Sequence, residues 1–230
     1  MIIEVIGVGG GFSYELGNSS VLAWDDSNKS AVLFDCGNTT FAALREKEQK
    51  EKRDIISKID SVFISHLHDD HYGSAATLLE YRFWVHHKPT NVTASVPFAE
   101  MFRGRMDNYN AKEIYAGPDK RIKKIPTKHA ADFPCFGAYF DGLLFSGDTG
   151  VSMLKSKYAE KAKIIIHEVR LNQITVHIGI DQLAASAPAE ILNKTYCIHY
   201  SSNEKKELQA KIKQFGLAGL LKPNQIIKTR

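Results

Sequence analysis

The chain has 230 residues, 43% of them apolar and 24% charged. That is enough apolar material for one sizeable core, and it excludes a mainly disordered chain. The formal net charge of +4 tolerates an anionic substrate without demanding nucleic acid. No apolar run approaches the length of a membrane span. The opening Met1–Ile6 lacks a basic segment followed by an apolar one, so the sequence predicts no signal peptide, no membrane association and a cytoplasmic protein. Cys36, Cys135 and Cys197 are an odd, widely spaced set beside apolar residues, which reads as buried free thiols in a reducing compartment.

In chain order, Ile2–Val8, Val21–Trp24 and Ala31–Phe34 read as strands, with a tight turn at Gly9-Gly10-Gly11. The glycine cluster has neither the phosphate-loop ending nor the dinucleotide spacing. Phe41–Lys58 reads as a charged surface helix, Ser61–Ile64 as a strand and Tyr72–Tyr81 as a helix. Trp84–His86 and Val92–Val96 read as extended, Pro97–Arg105 as a short helix and Gly104–Arg121 as a polar loop. Ile122–Ile125, Phe136–Phe140, Leu143–Phe145, Ile164–Ile166 and Tyr196–Ile198 read as strands. Ser152–Lys161, Asp181–Leu192 and Glu204–Phe215 read as helices, and Ile226-Ile227 as a closing strand. The mixed-charge stretches Arg45–Arg53 and Lys205–Lys213 read as solvated helix faces. No linker divides the chain, so residues 1–230 are expected to form a single α/β domain.

The chemistry concentrates in Ser65-His66-Leu67-His68-Asp69-Asp70-His71. His66, His68, Asp70 and His71 fall within six residues, directly after an apolar strand. Residues i and i+2 of an extended segment share a face, so His66 and His68 can grip one ion. Asp70 and His71 lie past the bend, where the chain can turn back toward a second. Imidazole with carboxylate suits zinc, manganese or iron better than calcium or magnesium. His129, Asp148, His167-Glu168 and His199 each follow a strand, where a sheet holds polar groups rigid and loops leave them accessible.

The pattern of HxHxDH, a lone His, a Gly-Asp after a strand and a final strand-end His resembles the metallo-β-lactamase superfamily, from Leu33-Phe34-Asp35-Cys36-Gly37 to His199. The resemblance implies a four-layer αββα sandwich with two divalent metal ions at one edge, zinc first and manganese second. It places one metal on His66, His68 and His129 and the other on Asp70, His71 and His199. Asp148 would bridge them, and Asp35 would be the aspartate that orders the ligand loop. Two neighbouring cations repel, so a bridging carboxylate between them is the physical complement of this arrangement.

Phe34-Asp35-Cys36-Gly37, Ile166-His167-Glu168, His177 and Ile198-His199-Tyr200-Ser201 are similar to the tRNase Z branch of phosphodiesterases. That similarity implies a catalytic set of His177, Glu168 and Asp70, with His177 as the acid for the leaving oxygen and Glu168 supporting it. The chain departs from the tRNase Z pattern in two places. Only a short stretch separates His129 from Asp148, where an RNA-gripping arm is usual. Asn38-Thr39-Thr40 replaces the usual Glu-Gly-Thr. A compact chain with the same chemistry resembles the phage anti-Pycsar enzymes of this branch. These hydrolyse 3′,5′-cyclic nucleotides to monophosphates and so cut off an antiphage signal. The expectation is therefore a small-molecule nucleotide substrate, with the base stacked on Phe83, Tyr109 or Tyr115, and a homodimer. The alternatives are a tRNA 3′-processing endonuclease, a lactone or thioester hydrolase, and a metal-stabilised binding module without catalysis.

Overall fold

The computed structural model describes residues 1–108 and 114–229. The strands are β1 Ile2–Gly7, β2 Ser20–Trp24, β3 Ala31–Phe34, β4 Ile59–Phe63, β5 Asn91–Thr93, β6 Lys123–Pro126, β7 Phe136–Phe140, β8 Leu143–Phe145, β9 Ile164–Glu168, β10 Thr195–Ile198, β11 Gly219–Leu220 and β12 Ile226–Lys228. The helices are α1 Thr40–Glu51, α2 Asp69–Tyr72, α3 Ala75–His86, α4 Val96–Asn108, α5 Lys157–Lys161, α6 Ile180–Ala184, α7 Ala189–Leu192 and α8 Lys205–Phe215. One sheet has the order β12-β1-β2-β3-β4-β5 and the other β11-β10-β9-β8-β7-β6.

Alternation along each strand builds the layers. Val21 and Ala23 of β2, with Val32 and Phe34 of β3, join a core that also holds Leu144, Phe145 and Ile166 of the second sheet. Leu22, Trp24, Ala31 and Leu33 turn the other way, onto Leu44 of α1, Leu78 and Leu79 of α3, and Phe98 of α4. The period of two is that of a strand covered on both faces. Phe34 locks the sheets together, its ring 5.8 Å from Phe63 and 5.5 Å from Phe145 between centroids. The result is the αββα sandwich expected from the sequence.

Strands β3, β4 and β5 pair in parallel, as do β8, β9, β10 and β11. A parallel pair needs a crossover, and α1, α3, α5, α6–α7 and α8 supply them. Their consequence for function is that the carboxyl ends of β3, β4, β8, β9 and β10 open toward one edge. Ligand sites form at such ends in open α/β sheets.

Six expectations need correction. The loop predicted over Gly104–Arg121 overlaps the end of α4, which runs to Asn108, and the helix predicted over Ser152–Lys161 is confined to α5, Lys157–Lys161. Trp84–His86 is the last turn of α3, not extended. The aromatic and β-branched run favours a strand locally, but Arg82, buried in that helix, donates to Ile56 O at 2.7 Å and Thr90 Oγ1 at 2.7 Å, and packing overrides propensity. The helix predicted over Phe41–Lys58 stops at Glu51, and Lys52 takes a left-handed φ of 50°. The helix predicted over Asp181–Leu192 is two short helices, with Pro188 at the N-cap of α7. Finally, Arg45–Arg53 is not a wholly solvated face. Lys47 is 7% exposed and pairs at 2.9 Å with Glu4, itself 2% exposed. Arg53 and the Trp24 indole N–H also reach that Glu4 carboxylate. Together they hold it below the usual carboxylate range, against the burial that would raise it.

All three cysteines are buried free thiols. Burial pushes Cys36 and Cys197 up to about 12, which leaves both inert as nucleophiles.

Candidate metal centre

The segment after β4 carries His66 and His68 and then turns into α2, which carries Asp70 and His71. The turn is held from β3. Cys36 N donates to His71 O at 2.7 Å, and Gly37 lies so close that a Cβ there would meet Asp70 O at 2.0 Å. Only glycine admits that approach. From the second sheet come His129 after β6, Asp148 after β8, Glu168 at the end of β9 and His199 after β10. His199 N donates to Val8 O at 2.8 Å, which ties the two sheets together beside the site. Asp35 and His199 both hold positive φ, 60° and 66°. Such backbone costs about 1–3 kcal/mol per residue and concentrates at functional sites.

Two ligand sets meet at one carboxylate oxygen. In the first, His68 Nδ1 lies 2.9 Å from His66 Nε2 and 3.1 Å from His129 Nε2. In the second, His71 Nε2 is 3.3 Å from His199 Nε2, and Asp70 Oδ2 is 3.4 Å from the first nitrogen and 3.2 Å from the second. Asp148 Oδ2 sits between the sets, 3.4 Å from His71 Nε2, 3.4 Å from His199 Nε2, 3.8 Å from His129 Nε2 and 4.0 Å from His66 Nε2. All seven residues named as ligands from the sequence thus converge.

A supporting ring of hydrogen bonds selects the inward nitrogen of three imidazoles. His71 Nδ1–H donates to Asp35 Oδ2 at 2.7 Å, and His129 Nδ1–H to Val176 O at 2.7 Å. Ser65 Oγ donates to Asp35 Oδ2 at 2.8 Å and accepts from His66 Nδ1 at 3.0 Å. Each bond turns Nε2 inward as an acceptor, the arrangement that supports metal-ligating histidines.

The electrostatics agree. Burial holds His66 well below its ordinary value, and the neighbouring His71 adds to this. Burial alone would raise Asp148, yet the His199 and His71 imidazoles win and keep it well below the carboxylate range. Burial would lower His71, and the Asp148 and Asp35 carboxylates outweigh it. Ring nitrogens held about 3 Å apart beside ionised carboxylates call for positive charge between them, which a proton on His71 supplies where no cation is bound. Asp148 Oδ1 is buried without a hydrogen-bond partner among the described residues. The donor set therefore fits divalent cations of the zinc and manganese type.

Beside the ligands, His177 Nδ1–H donates to Glu168 Oε2 at 2.8 Å. Glu168 Oε1 accepts from Thr149 N. Burial raises Glu168 well above the carboxylate range, and the charge on Asp148 adds to it. Burial lowers His177, with Asp148 opposing.

His167 is not part of this centre. Along β9 successive side chains alternate, so Glu168 enters the site and His167 leaves it. His167 Nδ1–H donates to Glu168 O at 2.8 Å, and its Nε2 accepts from Met153 N at 3.1 Å. Burial pushes it down to about 4, a neutral core histidine.

The site opens into a cleft of about 480 Å³ bordered by Gly10, Gly11, Phe12, Tyr14, Asn38, His68, Asp69, Asp70, Asp148, Arg170, His177 and His199. Of the three aromatics expected to stack on the base, Phe83 and Tyr115 do not border this cleft and pack against the core instead, and Tyr109 lies outside the described residues. The sequence reading missed Ser65, Phe12, Tyr14 and Arg170. Ser65 and Arg170 each lie two residues past a strand end, the same signal that found the ligands, whereas Phe12 and Tyr14 lie mid-loop between β1 and β2, where that signal does not reach.

The fold is the metallo-β-lactamase fold, with clusters of possible metal ligands at one edge. Its similarity to known proteins narrows the class. A family model described as anti-Pycsar protein Apyc1 matches residues 1–106 and 98–227, and the chain belongs to that family. It is 26% identical over 224 residues to an anti-Pycsar protein Apyc1 of Paenibacillus harenae, covering 87% of this chain and 90% of the relative. Among solved structures, the metallo-β-lactamase-fold protein YhfI of Bacillus subtilis superposes with a TM-score of 0.74 at 17% identity, over 98% of both chains. Human tRNase Z, short form, does so at 0.73 and 17% identity, over the full length of both.

Proposed function

We propose that the chain, acting as one domain over residues 1–230, is a phosphodiesterase that hydrolyses 3′,5′-cyclic nucleotides to nucleoside monophosphates. The observation that carries the reading is the His177–Glu168 pair set beside the two ligand sets that share Asp148. His66, His68 and His129 would hold one divalent cation and Asp70, His71 and His199 the other, with zinc the first choice and manganese the second. When bound, the cations supply Lewis-acid charge for the phosphoryl oxygens and a nucleophilic water at neutral pH.

The chain's own residues do the rest. The Glu168 carboxylate accepts from His177 Nδ1 and leaves Nε2 on the far side of the ring to hold a proton. In ring opening, water adds to phosphorus, one ester P–O bond breaks and the departing alkoxide takes that proton. Burial and the Asp148 charge raise Glu168; cations bound at the two ligand sets would offset that charge and favour the ionised Glu168 that stabilises an imidazolium at His177. Asp70 belongs to the same machinery, bound to His199 and His71 on the cleft side.

The tRNA-processing reading has the weaker support. Between His129 and Asp148 the chain forms β7 and β8, joined by Asp141-Gly142, both at positive φ. That is a two-residue hairpin, with no inserted arm for RNA. A homodimer is part of the proposal. Trp84 and Val85 of α3 and Met101 of α4 are exposed apolar side chains that a second copy would cover. No helix among the described residues is long and apolar enough to cross a membrane.

The test is hydrolysis of the cyclic monophosphates of C, U, A and G by metal-loaded protein, with pre-tRNA alongside. Chelator-sensitive ring opening of the cyclic compounds is expected. Cleavage of pre-tRNA without action on any cyclic nucleotide would reject the reading.

A further inference from the structure

The loop between β1 and β2 runs directly over the second ligand set. A Cβ on Gly10 would lie 3.2 Å from His199 Cε1, and one on Gly11 3.4 Å from Asp70 Cγ. The next residue, Phe12, is completely exposed, at 101% of its reference area, and Tyr14 follows at 69%. Both border the cleft that holds Asp70, His177 and His199.

The backbone that carries these rings is pinned. Val8 N donates to Leu16 O at 3.1 Å, Gly9 N to Gly17 O at 2.7 Å and Ser13 N to Gly10 O at 3.1 Å. Leu16 anchors the far side of the loop in the core. Two aromatic rings are therefore held in water at the mouth of the cleft by a loop pinned before, between and after them, at Val8, Gly9, Ser13, Leu16 and Gly17. Scattered exposed apolar residues need no explanation. Two rings on one pinned loop, beside the ligands, are a surface prepared for a flat apolar group.

We propose that Phe12 and Tyr14 form the platform on which the base of the nucleotide substrate stacks, a reading that rests on the cyclic-nucleotide activity proposed above. Stacking recognises any base by its π-face, so the platform confers affinity for a base without strong choice among bases. It binds the part of the substrate that does not react, so its removal raises KM and leaves kcat near its native level.

The experiment compares native protein with Phe12→Ala, Tyr14→Ala and the double variant on cyclic CMP and cyclic AMP. An abasic 3′,5′-cyclic ribose phosphate serves as the probe without a base. A rise in KM on the order of tenfold for each single variant is expected, with kcat within about twofold and the loss confined to substrates that carry a base. Phe12→Trp should restore KM. An unchanged KM in the double variant overturns the platform, as does an equal loss on the abasic compound. A fall in solution mass with KM unmoved assigns the rings to a subunit contact and also overturns it. If the native, metal-loaded protein opens no cyclic nucleotide at all, the functional reading fails first and takes the platform with it.

Discussion

The His177 ring and the Glu168 carboxylate meet at 2.8 Å through Nδ1 and Oε2, and the same Nδ1 stands 3.8 Å from Asp148 Oδ2. An imidazole is thus coupled to a fully buried carboxyl group and placed next to the oxygen that both ligand sets share, which suits the role of acid proposed for it. Its removal should matter in proportion to how badly the leaving group needs a proton. His177→Ala is expected to slow opening of cyclic nucleotides by about 10²–10⁴-fold. With bis(p-nitrophenyl) phosphate, whose leaving group departs as a stable anion, the loss should be under about tenfold. Equal losses on the two substrates would remove His177 from the role of acid.

Asp148 is the one carboxylate common to both ligand sets. Asp148→Ala should reduce bound metal from about two ions per chain to one or fewer, and hydrolysis should fall to background. Metal content after desalting, with circular dichroism to establish folding, checks this. A folded variant that retains both ions would show that Asp148 bridges nothing.

Asp35 is fully buried and holds the His71 ring and both donors of Ser65, its N–H and its O–H. Asp35→Asn keeps the shape and loses the charge. Metal affinity should drop about 10–100-fold, read by competition with a chromophoric chelator, and activity should recover as metal is added in excess. Failure of excess metal to rescue activity would mean that the fold, rather than ligand orientation, had been damaged.

His167 makes a prediction about stability and pH. Its value is pushed down from 6.5 to about 4 by burial. The unfolded chain then binds the extra proton first, so the stabilisation is complete above about pH 6.5 and is lost as pH falls toward 4. The effect is on the order of 3 kcal/mol across that window. Urea denaturation of native protein and His167→Phe, both in excess chelator, isolates it. The variant should be less stable at neutral pH because Met153 N–H and Glu168 C=O lose their partner. The gap should narrow as the solution is acidified. A gap constant from pH 7 to 4.5 would show that His167 is not buried in its neutral form.

Much of the centre was readable in the linear chain because ligand chemistry is local in kind. His66, His68, Asp70 and His71 lie within one strand-end turn, and no tertiary information is needed to see that they can share ions. His129, Asp148 and His199 stood out because each follows a strand, and strand ends are places a sheet can bring together; it was the resemblance to the metallo-β-lactamase superfamily that sorted them into two ligand sets. The mixed α/β class followed from periodicity in the same way.

Three-dimensional packing decided the rest. Strand position alone named His167 and Glu168 together, and only the resemblance singled out Glu168; one step along a strand reverses the face, and the register with β8 and β10 sets which of them enters the cleft. The sequence could not select Nε2 over Nδ1 at His71, because the selecting partner, Asp35, arrives from a different strand. It misjudged Lys47, whose partner Glu4 lies across the molecule's first strand, and it ended α3 a turn early, because Arg82 finds its acceptors outside the helix. The sequence and the resemblance it carries determined which groups are candidates to bind metal and move a proton. The tertiary structure alone determined which atom of each group faces the centre, because hydrogen-bond partners and strand faces are properties of neighbours in space.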